Sequence, residues 1–518
     1  MNKRAYVFLL LGTGLAGCGS EDSPNKPPAN PPVERPPVET PPEEPSNCEP
    51  TWDGPHSLLE GEPLSATIRC ATGLALPADT SVEGLPTGAT FDPESGSLSW
   101  TPTLDQAAVY ELVFKLPTQN ETLTERVAVT DNWEAPDNVP VVDFLKYPEE
   151  HGLPVLNLEV DVGQLSAAAY VPATVTYGGH AYATQAQYRG KSYPKKSFNV
   201  QFGAEDKFSD PGREIAGIRS VALISSFDDN SYIRSRLVFE LWRRLDEEHV
   251  FVRSYNAVLY LNGVYQGLYL LAEEVDGGLV GRFGLREDGN LYRAIDQNAN
   301  FSALDRFAVP KPSLSLGYEK LAGEPGAFDD LEEFVSFVST STPEAFGAGF
   351  SELARQRDYE NWWLLVMFTL AGDSDEKNTL HYHDPQGGLW RVFCADSNWS
   401  FGQNGKTLRE LPTEPRISTH NLLFKRLLDE PAVNLRQRLK DELRKSFDLA
   451  TVLALVDEYE AEIKDAAMRD EKKWGAEYTT HFTAPPPAGR VDFLDHEGEA
   501  AYLRSWIEGR WNYLDERF

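Results

Sequence analysis

Cysteine, methionine and histidine are scarce in this 518-residue chain, which holds 4, 3 and 9 of them. No CxxC or HExxH pattern occurs, so a Cys/His zinc site has little to draw on. Positive charge is also short: 48 Lys and Arg stand against 80 Asp and Glu, for a formal net charge of −32. Such a surface repels a phosphate backbone and excludes a general nucleic-acid binder. Beyond the N-terminus no run is long and apolar enough to cross a bilayer as a helix. A hydrophobic fraction of 41% nonetheless suffices for packed domains, and the length predicts about two to four of them.

What is present starts with an address in residues 1–18. Lys3 and Arg4 give a basic start, Ala5 to Leu15 is mostly apolar, and Leu15-Ala16-Gly17-Cys18 follows. That is the layout of an export signal, too short to span a bilayer. The Cys directly after Ala-Gly resembles the lipobox of bacterial lipoproteins. The resemblance implies lipidation of Cys18 and an extracytoplasmic protein held at the outer membrane or cell surface through its lipid anchor only. Residues 19–47 are dominated by Pro and Glu and predict an extended, solvated spacer.

Residues 48–131 carry short β-rich runs at Leu64–Cys70, Ser97–Trp100 and Val109–Leu116, broken by Gly, Pro, Asn and Asp. Their spacing predicts a small β-sandwich. The stretch from Leu85-Pro86-Thr87-Gly88 to Trp100-Thr101-Pro102 resembles the immunoglobulin-like modules of bacterial surface proteins. Cys48 and Cys70 can pair as a disulfide in an oxidising compartment or stay as two thiols. Cys394 reads as a buried small hydrophobe.

Residues 138–518 mix strands and helices, an α+β pattern. Strands are expected at Ala173–Tyr177, Ala183–Arg189, Ser197–Phe202, Ser220–Ser225, Tyr255–Leu261 and Gln266–Ala272. Asp228-Asp229-Asn230-Ser231 can cap a helix with Ile233, Leu237, Leu241 and Leu245 along one face. Past Gly326 helices dominate, clearest at Tyr359–Leu370, Val452–Met468 and Tyr502–Arg517. Trp362 and Trp363 read as the core face of the first of these. A strand-rich part followed by a helix-rich part predicts a cleft between two lobes.

Five segments in order resemble the CotH kinase-like family. They are Tyr188-Arg189-Gly190-Lys191-Ser192-Tyr193-Pro194-Lys195-Lys196-Ser197-Phe198; the Asp-rich turn and Arg-containing helix of Ser225–Leu245; Leu259-Tyr260-Leu261-Asn262-Gly263 through Glu273-Glu274-Val275; Asp373-Ser374-Asp375-Glu376-Lys377-Asn378; and Trp390 through Asp396-Ser397-Asn398-Trp399-Ser400-Phe401-Gly402. The resemblance implies an atypical protein-kinase-like, two-lobed domain that uses ATP and Mg²⁺.

The residue types suit that chemistry. Phosphoryl transfer needs cations on the phosphates, oxygen ligands for Mg²⁺ and a carboxylate that orients the attacking hydroxyl. Lys195 and Lys196 adjoin a strand, so their side chains point to opposite faces; one enters the cleft and the other meets solvent, with Lys196 the first choice. Asp373 and Asn378 are spaced as Asp and Asn are in HRDxxxxN; Asp373 and Asp375 both qualify as the base, with Asn378 as a metal ligand. Asp396 takes the place of the second metal-binding acid. Asn398 stands where the family usually has another acid, and its amide oxygen coordinates without supplying charge. Arg189 is a phosphate clamp or the partner of an acid. Glu273 and Glu274 end an apolar strand where a kinase-like fold passes adenine, so Glu274 falls at the cofactor while backbone groups read the base. Glu240 can pair with the lysine. Arg234 and Arg236 steady phosphates or form surface ion pairs, and Trp399 floors the nucleotide site or packs.

The expected function is an extracytoplasmic atypical kinase that phosphorylates a hydroxyl on a surface or periplasmic protein. The alternative is a catalytically impaired pseudokinase, or a surface-assembly or adhesion lipoprotein.

Overall fold

The computed structural model describes residues 47–190, 193–372, 374–394, 397, 399–403, 409–415, 420–480 and 494–518. Cys18, residues 19–46 of the spacer, Asp373, Asp396 and Asn398 lie outside the described residues. Two four-stranded sheets come first. One has the order Pro50–Asp53, Leu64–Cys70, Ser97–Trp100, Thr90–Asp92; the other Ser57–Leu59, Glu121–Thr130, Ala108–Leu116, Ser81–Glu83. Alternation along Leu64–Cys70 turns Leu64, Ala66, Ile68 and Cys70 inward, as period-2 geometry requires. Leu64 and Ile68 meet Leu98, Trp100, Phe114 and Val127 in one core, while Cys70 joins Cys48 and Leu116 in a small cluster beside it, where the two cysteines form a disulfide.

The larger domain is built on an eight-stranded sheet. Its strands are β1 (Glu149–Glu150), β2 (Leu153–Val160), β3 (Val171–Tyr177), β4 (His180–Arg189), β5 (Ser197–Phe202), β6 (Ser220–Ile224), β7 (Ser254–Leu261) and β8 (Val264–Glu273). The spatial order is β3-β4-β5-β6-β8-β7-β2-β1. Strands β7 and β8 are apolar on both faces because both faces are covered. Val258, Tyr260, Leu268 and Leu270 enter the main core; Tyr255, Ala257, Tyr269 and Leu271 enter a second core on the opposite side. Asn262 and Gly263 join the two strands with positive φ at both positions, the geometry of a tight hairpin turn.

A smaller sheet follows, with β9 (Asn290–Ala294), β10 (Tyr318–Ala322), β11 (Thr379–His383) and β12 (Arg391–Cys394) in the order β10-β9-β11-β12. The helices that matter for the site are α1 (Arg234–Leu245), α2 (Gln356–Thr369), α3 (Leu449–Thr480) and α4 (His496–Arg517). On α1, Leu237, Leu241 and Leu245 are buried as the spacing predicts. Its first amide is capped by Asp229, which accepts from Arg234 N at 3.1 Å. Every residue of α2 from Asp358 to Thr369 is buried, so Trp362 and Trp363 are core, and the helix is enclosed on all sides, not on one face. Residues 48–518 form one compact unit. Across its interior Arg469 of α3 pairs with Asp131, at the end of the sandwich, and with Glu150 of β1.

Candidate functional site

A narrow cleft of about 90 Å³ takes its walls from both sheets of the larger domain. Ala222 and Ile224 of β6 and Ala272 of β8 supply one apolar side, and Leu321 of β10 and Leu380 of β11 the other. Arg189, Glu273, Glu274, Arg293 and Asn378 supply its polar groups. The guanidinium of Arg189 sits between Glu274, at 2.5 Å, and the amide oxygen of Asn199, at 3.0 Å. Three of the residues singled out from the sequence, Arg189, Glu274 and Asn378, therefore converge. Beside them the amides of Glu273 and Glu274 donate to Arg253 and Ser220, whereas the backbone of Val275 has no hydrogen bond among the described residues.

The two lysines part company. Lys195 is fully buried, and its ammonium donates to Asp470 (2.5 Å), Leu268 O (2.7 Å) and the Tyr478 hydroxyl (3.2 Å). Burial lowers its pKa, and the Asp470 carboxylate opposes that shift. All three donors are spent inside the protein, which corrects the expectation of a phosphate ligand or a solvated side chain at Lys195. Lys196 is half-buried, its ammonium 5.8 Å from the centre of the Tyr188 ring.

The first acidic box is held from three directions. The carbonyl of Ser374 accepts from the Trp362 indole (2.6 Å), that of Asp375 from the Asn421 side chain (2.5 Å), and Asn378 donates its amide to Ala294 (2.9 Å). Asp375 is buried. Asn378 has φ +59°, a left-handed conformation that Asn tolerates better than most residues. Thr379 stands opposite Cys394 in the β11–β12 pair, so the box before β11 and the box after β12 join this hairpin at the same end. Cys394 itself is buried and free, and burial pushes its thiol up to about 12, out of the range of a reactive thiolate.

The second box is tied to the turn before α1. The Trp399 indole donates to Asp228 Oδ2 (2.7 Å), Gln403 to Asp228 O (2.7 Å), and Arg234 Nε to Ser400 O (3.1 Å). At Gly402, with φ +85°, a Cβ would strike Tyr502 and Trp506 of α4, so this glycine lets the box lie against that helix. Trp399 is thus fixed by a polar contact beside the acidic residues. Among the described residues no group of three or more His, Cys, Asp or Glu side chains is poised around a metal-sized space.

Two assignments on α1 change, those of Arg234 and Glu240, and Arg236 takes its ion-pair alternative. Arg234 is buried between Asp229 (2.5 Å) and Glu499 (2.6 Å), so it is neither a phosphate ligand nor a surface pair. Arg236 pairs with Glu462 at 2.8 Å. Glu240 pairs with Arg243 and Arg244, three and four residues on along the helix, which removes it as the lysine's partner. Asp228, which the sequence offers as one of four capping residues, instead accepts from Trp399 and Gln403 of the second box. The capping is done by Asp229, and the doubled Asp was the signal that one of them serves elsewhere.

An Ig-like sandwich in front of an α+β domain, with a charged cleft that Asn378 of the first acidic box helps to line, is the class of protein that fold and site define. Residues 50–133 match an Ig domain family and residues 186–514 match the family described as CotH kinase protein. The chain belongs to the CotH kinase protein family. Inner spore coat protein H of Bacillus subtilis (strain 168) is 27% identical to it over 264 residues, which is 50% of this chain and 70% of that protein. The family match starts inside β4, yet β1, β2 and β3 pair in the same sheet.

Proposed function

We propose that this protein is an atypical, two-lobed kinase that transfers the γ-phosphoryl group of ATP, with Mg²⁺, to a hydroxyl on a surface or exported protein. The convergence of Arg189, Glu274 and Asn378 on one apolar-walled cleft between the large and small sheets carries this reading. The donor chemistry fits the groups it requires. Ala222, Ala272 and Leu380 offer flat apolar walls for a purine, and the Val275 backbone offers hydrogen bonds to its edge. Lys196 reaches the phosphates, and Arg189 clamps them or orders Glu274. Asn378 offers a hard oxygen to Mg²⁺, joined by Asp396 and Asn398 from the second box. Bound Mg²⁺ supplies charge neutralisation on the transferring group. Asp373 or Asp375 orients the acceptor hydroxyl. At about 90 Å³ the cleft is smaller than the roughly 300–1,000 Å³ usual for ligand pockets, so nucleotide entry requires the two sheets to separate.

Residues 1–18 support export and lipidation at Cys18, with the protein acting outside the cytoplasmic membrane. The spore-coat name of the relative supports a partner in a surface assembly. A second reading, a pseudokinase scaffold, is favoured by Asn398, an uncharged residue where an acid is expected. Incubation with labelled ATP and Mg²⁺ separates them: wild type becomes or transfers label while Asp373→Ala and Asp396→Ala do not. Equal labelling of all three removes the catalytic reading.

A further inference from the structure

Phe239 and Val252 line the candidate cleft on one side and, on the other, a second cleft of about 520 Å³, a volume within the ligand-binding range. Four arginines, Arg213, Arg236, Arg243 and Arg253, face it, in a chain whose net charge is −32. Glu214, Glu240 and Glu462 face it too. Arg236 is satisfied by Glu462 and lies on the Tyr459 ring at 3.8 Å. Arg243 pairs with Glu240 at 2.7 Å and Arg213 with Asp210 at 3.2 Å. Arg253 has no side-chain hydrogen bond or ion pair among the described residues, and its Nε is buried without a partner.

Like charges crowd around one ring at this place. Arg243, Arg253 and Arg282 each lie within 5.9 Å of the centre of Phe251. Arg282 spends its charge on Glu273; burial lowers its pKa and the nearby Arg253 adds to that. Gathering guanidinium groups has a repulsive cost that a bound anion offsets. A phosphate monoester carries close to two negative charges at neutral pH and matches the guanidinium fork, whereas a carboxylate brings one charge. Phe251 and Phe239 offer apolar surface to the group that bears the phosphate.

We propose that this second cleft binds a phosphate monoester through Arg253 and Arg243. The site stands apart from the phosphotransferase reading, since none of its ligands belongs to the acidic boxes or the lysine pair. Calorimetry on the full chain without nucleotide tests it, with three probes: inorganic phosphate, a phosphoserine peptide, and the same peptide with Glu in place of phosphoserine. Wild type binds the first two and binds the Glu peptide at least about tenfold more weakly. Arg253→Gln weakens phosphate binding by about tenfold or more, as the loss of a charge-assisted contact implies. Arg243→Gln, a partly exposed position, does the same with an unchanged melting curve, and Lys196→Met binds phosphate as wild type does. Tighter binding of the phosphoserine peptide than of phosphate assigns the natural source to a phosphorylated protein; equal binding assigns it to a free ester. No phosphate binding by wild type, unchanged affinity in both arginine variants, loss only in Lys196→Met, or equal affinity for the Glu peptide overturns the proposal.

Discussion

Lys195 and Asp470 form an ion pair at 2.5 Å, with neither side chain exposed, across 275 residues of sequence. Asp470 also accepts from Leu268 N (2.7 Å), Tyr232 (3.1 Å) and Tyr478 (2.5 Å). Gly267, at φ +121°, admits it: a Cβ there would occupy the position of the carboxylate. The Pro-Lys-Lys box, the hairpin of β7 and β8, and helix α3 are thereby locked at one point. Part of what looks like phosphate chemistry in the sequence is in fact the structural joint between the sheet and α3.

Removing one member of that pair leaves the other charged and buried. Lys195→Met is expected to cost about 3–5 kcal/mol, and Gly267→Ala to be destabilising through both strain and the clash. Lys196→Met, at a half-buried position, costs less than Lys195→Met. Urea unfolding of the three variants gives the order; a Lys196→Met loss as large as that of Lys195→Met contradicts the assignment.

Glu471, next to Asp470, predicts a pH dependence. Burial raises its pKa from 4.5 to about 7, and Asp495, Asp470 and Glu497 push in the same direction. The folded protein therefore holds a proton there that the unfolded chain has released between about pH 4.5 and 7. Its contribution is complete below pH 4.5 and is lost as the pH rises through about 7. Stability from this group falls across that window, and Glu471→Gln flattens the fall, as unfolding at pH 5, 6, 7 and 8 will read.

The disulfide closes a segment with a sequence separation of 22. Chain entropy places its contribution to the sandwich at about 3 kcal/mol. Cys70→Ser lowers the unfolding free energy of the sandwich by about that amount, as urea unfolding reads, while Cys394→Ser, deep in the other core, acts on the larger domain.

Asn398 offers the most direct gain-of-function test. If the second box binds Mg²⁺, Asn398→Asp adds a charged oxygen ligand and raises Mg²⁺ affinity, by about tenfold for each 1.4 kcal/mol gained. Mg²⁺ titration of nucleotide binding reads the change, and no shift argues against a metal at this box.

Local pattern made much of the fold legible. Ser197–Phe202, Leu64–Cys70 and Ser97–Trp100 match their expected strands residue for residue, because alternation and turn residues are local signals. Helix α3 was expected at Val452–Met468 but runs from Leu449 to Thr480; its polar second half, with Arg469 and Asp470, is stabilised by partners on β1 and β8 that no local pattern reveals. The same holds at the site. The order of the boxes is legible in the sequence, but the sequence leaves Arg189 open between a phosphate clamp and the partner of an acid, and Glu274 is found only in the fold; the burial of Lys195 likewise depends on Asp470. Glu240 is claimed by Arg243 and Arg244, one turn on along its own helix, before any lysine can reach it.

A crystal structure of the full chain with Mg²⁺ and a non-hydrolysable ATP analogue tests the central claim most directly. The account predicts adenine between Ala222 and Leu380, with the phosphates reaching Lys196 and the metal bound by Asn378 and Asp396. Nucleotide bound elsewhere, or none at saturating concentration, contradicts it.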